Sequence, residues 1–398
     1  MKAKLLAVLM LFAINLANSQ PYEMVKEVDS TVLINLQKQV DDLLQQNQAN
    51  SERINTLITS KDLDSKLKYE IVKGNLKNGL ATFKLLNEKI NFLKSRQKDN
   101  KLDAVVKDLH NPQSNSLNFK FDEVILELVK QHIQPKSKNV AGKILQSVNE
   151  ITKSPILGSI PTIAPAISIS NAVLGLLRST SIFNDDVDYK KIDAFEKDLH
   201  KYIQYYLALN ESTSYFMNNV ELQTNELGIL QQKLYDQLLF FSMTLKYPNQ
   251  VKSQEEDIGE YMTNLFNHFN NKYVEDLLEN AEKMNTNKGV LSYDNILISN
   301  NGNLKEANNR LEEFIALINQ FEFQYNNYIN INEQYYKKVL NSLDIAQQNG
   351  IASADLVEKK KKEIIVLKED ALKQFKISIN LPDLLLNKQS IKYTARIL

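Results

Sequence analysis

Apolar residues recur along most of this chain in steps of three and four, the spacing of a helix with one buried face. Val25, Val28, Val32, Leu36, Val40 and Leu43 form a first stripe, with Gln, Asp, Asn and Lys outward. Leu76, Leu80, Phe83, Leu86, Ile90 and Leu93 form a second, coiled-coil-like seam. Phe121 to Ile133 reads as an amphipathic helix stopping near Pro135. Helix resumes near Tyr189, with Phe195, Leu199, Tyr202, Tyr206 and Leu209 on one face. The cleanest stripe is Leu227, Leu230, Leu234, Leu238, Phe241 and Leu245, ending at Tyr247-Pro248-Asn249. Ile258 to Met284 reads as helical again. Leu304 to Leu343 carries Leu311, Phe314, Ile318, Phe321, Tyr325 and Tyr328, and Ala354 to Phe375 forms the last long helix.

Breaks separate these runs. Ser60-Lys61-Asp62-Leu63-Asp64 caps and restarts a helix, Asn111-Pro112-Gln113-Ser114-Asn115 is a turn, and Asn349-Gly350 ends a helix. Asn285 to Gly302 reads as a loop with a short strand at Val290-Leu291, and no element is assigned after Leu381-Pro382. No internal repeat is visible. The count is seven or eight helices, several of them long. Their stability must come from packed apolar faces rather than propensity. The fold class is therefore all-α: an elongated bundle of long, partly coiled-coil helices.

Composition sharpens this picture. Ten glycines in 398 residues is about 2.5%, against about 7% in average usage, and prolines number eight. Nucleotide-binding loops and all-β folds need more chain-turning residues than that. Lys+Arg and Asp+Glu stand at 48 each, so there is no electrostatic case for nucleic acid. With no cysteine, disulfides and a cysteine-linked lipid anchor are both excluded.

The first residues carry their own pattern. Met1-Lys2-Ala3-Lys4 is a short basic region, Leu5 to Leu16 is apolar apart from Asn15, and Ala17 and Ser19 occupy the −3 and −1 positions of a cut after Ser19. Together they predict a secretory signal peptide, too short for a comfortable membrane span, and hence a secreted, periplasmic or cell-surface protein.

One segment breaks the helical pattern. Ser154 to Leu177 is 24 residues without a charge, flanked by Lys153 and Arg178, and holds Pro155, Pro161 and Pro165. A straight 24-residue helix would rise about 36 Å, enough for a hydrocarbon core of about 30 Å. Pro161 and Pro165 would kink it. A central apolar hairpin is the alternative, with Ala166 to Leu177 the better helical arm and the first arm extended or irregular. The candidate membrane-insertion residues are Pro155, Ile156, Leu157, Ile160, Ile163, Ile167, Ile169, Val173, Leu174, Leu176 and Leu177. A soluble core helix normally keeps a polar face, and this segment offers only Ser, Thr and one Asn. The competing reading is a hairpin permanently buried beneath the flanking helices.

A signal peptide, long helices, one central apolar hairpin and long helices again make a layout that resembles the α-helical pore-forming toxins of the cytolysin A type, including the three-component haemolysin and enterotoxin subunits. The likeness is one of architecture and rests on Ser154 to Leu177 and its flanking helices. It implies a soluble form with the apolar tongue packed away, and entry of that tongue into a lipid membrane on self-assembly or on joining partner subunits.

Catalytic patterns are missing from the sequence. His110, His132, His200 and His268 form no His-x-x-x-His pair, and no Gly-x-Ser-x-Gly elbow, dinucleotide glycine pattern or Walker loop appears. Asp185-Asp186 and Glu255-Glu256 are adjacent, and helical neighbours one apart do not face each other. Lys359 to Lys362 reads as a solvated face, since Glu358 and Glu363 flank it. The tyrosines at 202, 205, 206, 325, 328, 335 and 336 read as core edges. No catalytic, metal or cofactor site is expected. The chain divides into a signal peptide (1–19), an N-terminal helical region (20–150), the apolar hairpin (151–183) and a C-terminal bundle (184–398). Two functions follow: a membrane-interacting, pore-forming-toxin-like subunit, or a periplasmic or cell-surface coiled-coil scaffold with the segment permanently buried.

Overall fold

The alternating steps of three and four become packing seams in a computed structural model. It describes residues 65–96, 102–133, 138–152, 165–183, 189–248, 252–253, 255–287, 289–298 and 303–395. The chain divides after Leu63. The expected signal peptide and first stripe, Val25 to Leu44, lie outside the described residues. From Ser65 onward the protein is an elongated all-α bundle. Its elements are α1 (Ser65–Arg96), α2 (Leu102–His110), α3 (Phe121–His132), α4 (Lys138–Thr152), α5 (Pro165–Phe183), α6 (Tyr189–Thr244), α7 (Ile258–His268), α8 (Asn271–Met284), β1 (Thr286–Asn287), β2 (Val290–Leu291), α9 (Tyr293–Ile298), α10 (Leu304–Gln348), α11 (Ala354–Ile379) and α12 (Leu381–Ala395).

Helices α6 and α10 are the frame. Along α10, Leu304, Ala307, Leu311, Phe314, Ile318, Phe321, Tyr325, Tyr328, Asn332, Tyr335, Val339, Ser342 and Ala346 alternate in steps of three and four, and every one is buried. Such a seam can follow one main partner helix along its whole length, with Phe314 and Tyr325 also meeting Phe83 of α1 and Phe375 of α11. That main partner is α6, which runs antiparallel to it: Lys338 pairs with Glu211, the Gln223 amide donates to the Gln324 carbonyl at 2.7 Å, and Gln237 donates to Glu313.

Two apolar clusters lie along this pair. The first holds α1, the Leu227–Leu245 half of α6, α7 to α9, the first half of α10, the end of α11, and α12. Phe83 sits at its centre, stacked on Phe314 at 3.9 Å between centroids and 5.5 Å from Phe241. All six predicted seam residues of α1 are buried here. A polar layer crosses this core. Gln231 donates to Asn91 and Asn87, Lys94 donates to Gln231, and Asn87 donates to the Gly259 carbonyl. A side chain at 259 would meet the Asn91 and Gln231 amides, so any larger residue there must displace this polar layer. The second cluster holds α2 to α5, the first half of α6, the second half of α10 and the start of α11.

Three local readings gain detail. Ile258 to Met284 is two helices, because Asn270 caps a new start with its side chain on the Lys272 and Tyr273 amides. The loop from Asn285 to Gly302 holds the expected strand at Val290–Leu291, paired antiparallel with Thr286–Asn287, and also α9. The unassigned tail is helix α12. Asn380, at φ +44°, breaks the chain there, and buried Lys89 donates to the Ile379 and Asn380 carbonyls at the end of α11. Gly350, at φ +69°, takes the left-handed position that ends α10.

Truncating Phe83 to alanine should lower the unfolding free energy by about 3–5 kcal/mol, the cost of a large buried aromatic. Truncating exposed Val366 should change it by about 0.5 kcal/mol or less. Urea unfolding followed by circular dichroism separates the two.

Candidate functional site

The described part of the apolar segment is α5. Proline at its first position has the φ a helix start needs and loses no intrahelical bond there. Ala166, Ile169, Ser170, Val173, Leu174 and Leu177 are buried, at the spacing of a single helical face. Inside that face the Ser170 hydroxyl satisfies itself by donating to the Ala166 carbonyl at 2.7 Å. Ile167 and Leu176 are partly buried against the same cluster. The opposite side is not apolar: Asn171, Gly175, Arg178 and Ser179 are exposed. The helix keeps an outward stripe built from one amide, small residues and the flanking arginine, a pattern concealed by counting charges alone. Pro155, Ile156, Leu157, Ile160 and Ile163 lie outside the described residues.

Helix α5 packs chiefly on α6 and α4, and α4 packs on α3. At its end the Arg178 guanidinium donates to Glu196 at 2.6 Å. Both side chains are well exposed, so this pair contributes at most about 1 kcal/mol. The apolar face matters more. Burying a Val, Leu or Ile side chain is worth roughly 1.5–3 kcal/mol. Four of them on α5 therefore approach the roughly 5–15 kcal/mol that holds a whole domain together. Helix α5 consequently does not leave for water; only a second apolar phase can replace what it loses. No described helix is long and apolar enough to cross a membrane.

The second cluster around α5 is rich in tyrosine. Tyr205 donates to the Leu109 carbonyl at 3.4 Å and packs edge-on against Tyr206, whose ring meets Phe121 at 5.0 Å. Tyr335 stacks on Phe216 at 4.4 Å. Burial pushes the Tyr336 phenol up to about 12, and its buried oxygen has no hydrogen-bond partner. These rings are core, as the sequence reading had them. The lysine run is a paired surface, with Lys360 on Glu363, Lys361 on Asp344 and Lys362 on Glu358.

The histidines are scattered. His132 meets Asp198 at 2.9 Å across the α3–α6 contact, while His200 and His268 are exposed. Lys201, more than His132, holds the Asp198 carboxyl below its ordinary value. His110, at the end of α2, lies 3.1 Å from the Thr213 hydroxyl of α6. Among the described residues no group of three or more His, Asp or Glu side chains is placed to hold a metal ion. Comparison with family models, curated proteins and solved structures finds no match to this chain.

Burial pushes the His110 imidazole below its ordinary value of 6.5, against an opposing hydrogen bond to Leu209. The depressed value has a definite sign. The unfolded chain takes up this proton more readily, so the contribution to stability is present above 6.5 and lost as pH falls through the folded-state value. Urea midpoints at pH 7 and pH 5 should therefore differ less in His110→Gln than in the wild type.

Proposed function

We propose that this chain is an exported, non-enzymatic helical-bundle protein that acts on membranes, a pore-forming-toxin-like subunit whose central apolar segment, Pro155 to Leu177, leaves its place in the bundle and enters the bilayer. One observation carries the reading. Twenty-four consecutive uncharged residues lie between Lys153 and Arg178, and the described part of them, α5, packs chiefly on α6 and α4 rather than on α10. The α6–α10 seam needs no residue of α5. Release of α5 exposes one face of α6 and leaves the seam intact. Hydrocarbon supplies what water does not, an apolar phase for Ile169, Val173, Leu174 and Leu177. The small residues of the segment, Gly175, Ala166, Ala172 and Ser170 among them, suit close helix packing in lipid. Assembly with further copies or partner subunits belongs to the same reading, since one short segment cannot line a pore alone.

A second reading has its own support. Val173 and Leu177 are completely covered, and no described helix has the length and apolarity of a membrane span. On that basis the protein is a periplasmic or cell-surface scaffold whose α5 stays in the core.

A lock distinguishes the two. The chain has no cysteine, so Arg178→Cys with Glu196→Cys introduces two thiols, which a short bifunctional thiol reagent can join across the α5–α6 contact. The unbridged protein should release dye from liposomes and the bridged protein should not. Wild type that neither binds nor leaks vesicles, or a bridged protein that leaks as well as the unbridged one, would remove the insertion reading.

A further inference from the structure

Midway along the frame, α6 and α10 leave a groove of about 370 Å³ lined by Glu226, Ile229, Lys233, Gln320, Phe323 and Gln324. Three of its features are unusual for a solvated helix surface. Ile229 is 52% exposed and Phe323 66%, with Leu222 of α6 61% exposed one heptad before Ile229. Phe240 and Met243 extend the same side of α6, both more than half exposed. The Gln324 side chain, 8% exposed, ends in an Oε1 that is buried and has no partner. Exposed apolar residues grouped on one side of two packed helices mark a surface awaiting cover.

The charges on the groove indicate what covers it. Glu226 and Lys233 are one heptad apart, opposite in sign, and flank Ile229 almost symmetrically. The ion pairs found among the described residues include neither of them. A surface with that arrangement is complementary to itself. Turned by 180° about an axis at Ile229, it places each Glu226 opposite the partner's Lys233, and Ile229 against its own copy. That is the signature of an isologous contact, in which one patch serves both sides.

We propose that this groove is a self-association face, through which two copies of the chain pair with their α6 helices antiparallel about a two-fold axis near Ile229. Leu222, Ile229 and Phe323 form its apolar centre. Glu226 and Lys233 fix the register. The size is adequate: Leu222 to Met243 rises about 32 Å along α6, and a face two helices wide over that length is on the order of the ~800 Å² per partner found in standard interfaces. This pairing is independent of membrane insertion. It concerns the soluble chain, and a face remote in sequence from α5.

Sedimentation equilibrium of the purified full chain across the micromolar range tests it. Wild type should show a reversible monomer–dimer equilibrium. Glu226→Lys and Lys233→Glu should each weaken dimerisation about tenfold, because each reversal converts two symmetry-related pairs to repulsion. The double variant carrying both should recover most of the wild-type affinity, a rescue that damage to the fold cannot mimic. Phe323→Glu, at an exposed position, should leave the circular dichroism unchanged and abolish the dimer. A chain that stays monomeric throughout, as it would if some other protein occupied the groove, overturns the proposal. So does a double variant no tighter than its parents.

Discussion

A helix of 45 residues has no core of its own, and α10 is stable because α6 runs beside it through both clusters while α1, α11 and α12 cover the rest of its buried face. Each step of three or four returns a side chain to the same line, so the two helices stay in contact while passing through both apolar clusters. The other described helices lie against this pair or against helices that do. The seam is not uniform in chemistry. It is fully apolar from Leu304 to Phe321, then passes through Tyr325, Tyr328, Asn332 and Tyr335. At the change-over, the buried Gln223 amide binds the Gln324 carbonyl. Buried amides satisfy their bonds in few registers, whereas leucines tolerate many. The polar stretch therefore holds α6 and α10 against sliding, at some cost in stability.

The frame separates two jobs. Around its first end, α1 and α12 close the core with specific polar locks. Buried Lys89 caps α11, and the Thr394 hydroxyl donates to Asn75, whose amide donates to Asn308. Around its second end, the cover is layered: α5 on α6, α4 on α5, α3 on α6. Among the described residues, the exposed Arg178–Glu196 pair ties α5 to α6. A layered end with a greasy interior and a weak polar edge is where an amphipathic element can exchange one apolar environment for another. Helix α11 spans both ends, with Val357 and Ile364 in one cluster and Phe375 and Ile379 in the other.

Much of this was legible in the spacing of apolar residues. The α1 seam, the Leu227–Leu245 stripe and the Leu311–Tyr328 stripe were each readable, and each is buried, because heptad burial writes itself into sequence at a fixed period. Features set by hydrogen bonding were not. Asn270 as a helix cap interrupts Ile258–Met284 with no proline or glycine at the break, and Asn380 reaches the left-handed region without being glycine. The polar layer of Asn87, Asn91 and Gln231 is also invisible in one dimension, since these residues resemble surface asparagines until three helices converge. The outward stripe of α5 was missed for a related reason. Glycine and serine face solvent without announcing it by charge. Five of the eleven candidate insertion residues, from Pro155 to Ile163, fall outside the described structure, so α5 alone bears the geometric argument.

The central claim is that α5 is separable from a persistent α6–α10 frame. Amide hydrogen exchange, resolved by segment in the presence and absence of lipid vesicles, addresses it directly. The account predicts that α5 opens at lower free energy than α6 and α10 in buffer. With vesicles, the first half of α6 should lose protection where α5 has left it, while the Leu227–Leu245 stripe stays protected. Amides of α5 that exchange only with global unfolding, at the same rate with vesicles as without, would contradict it.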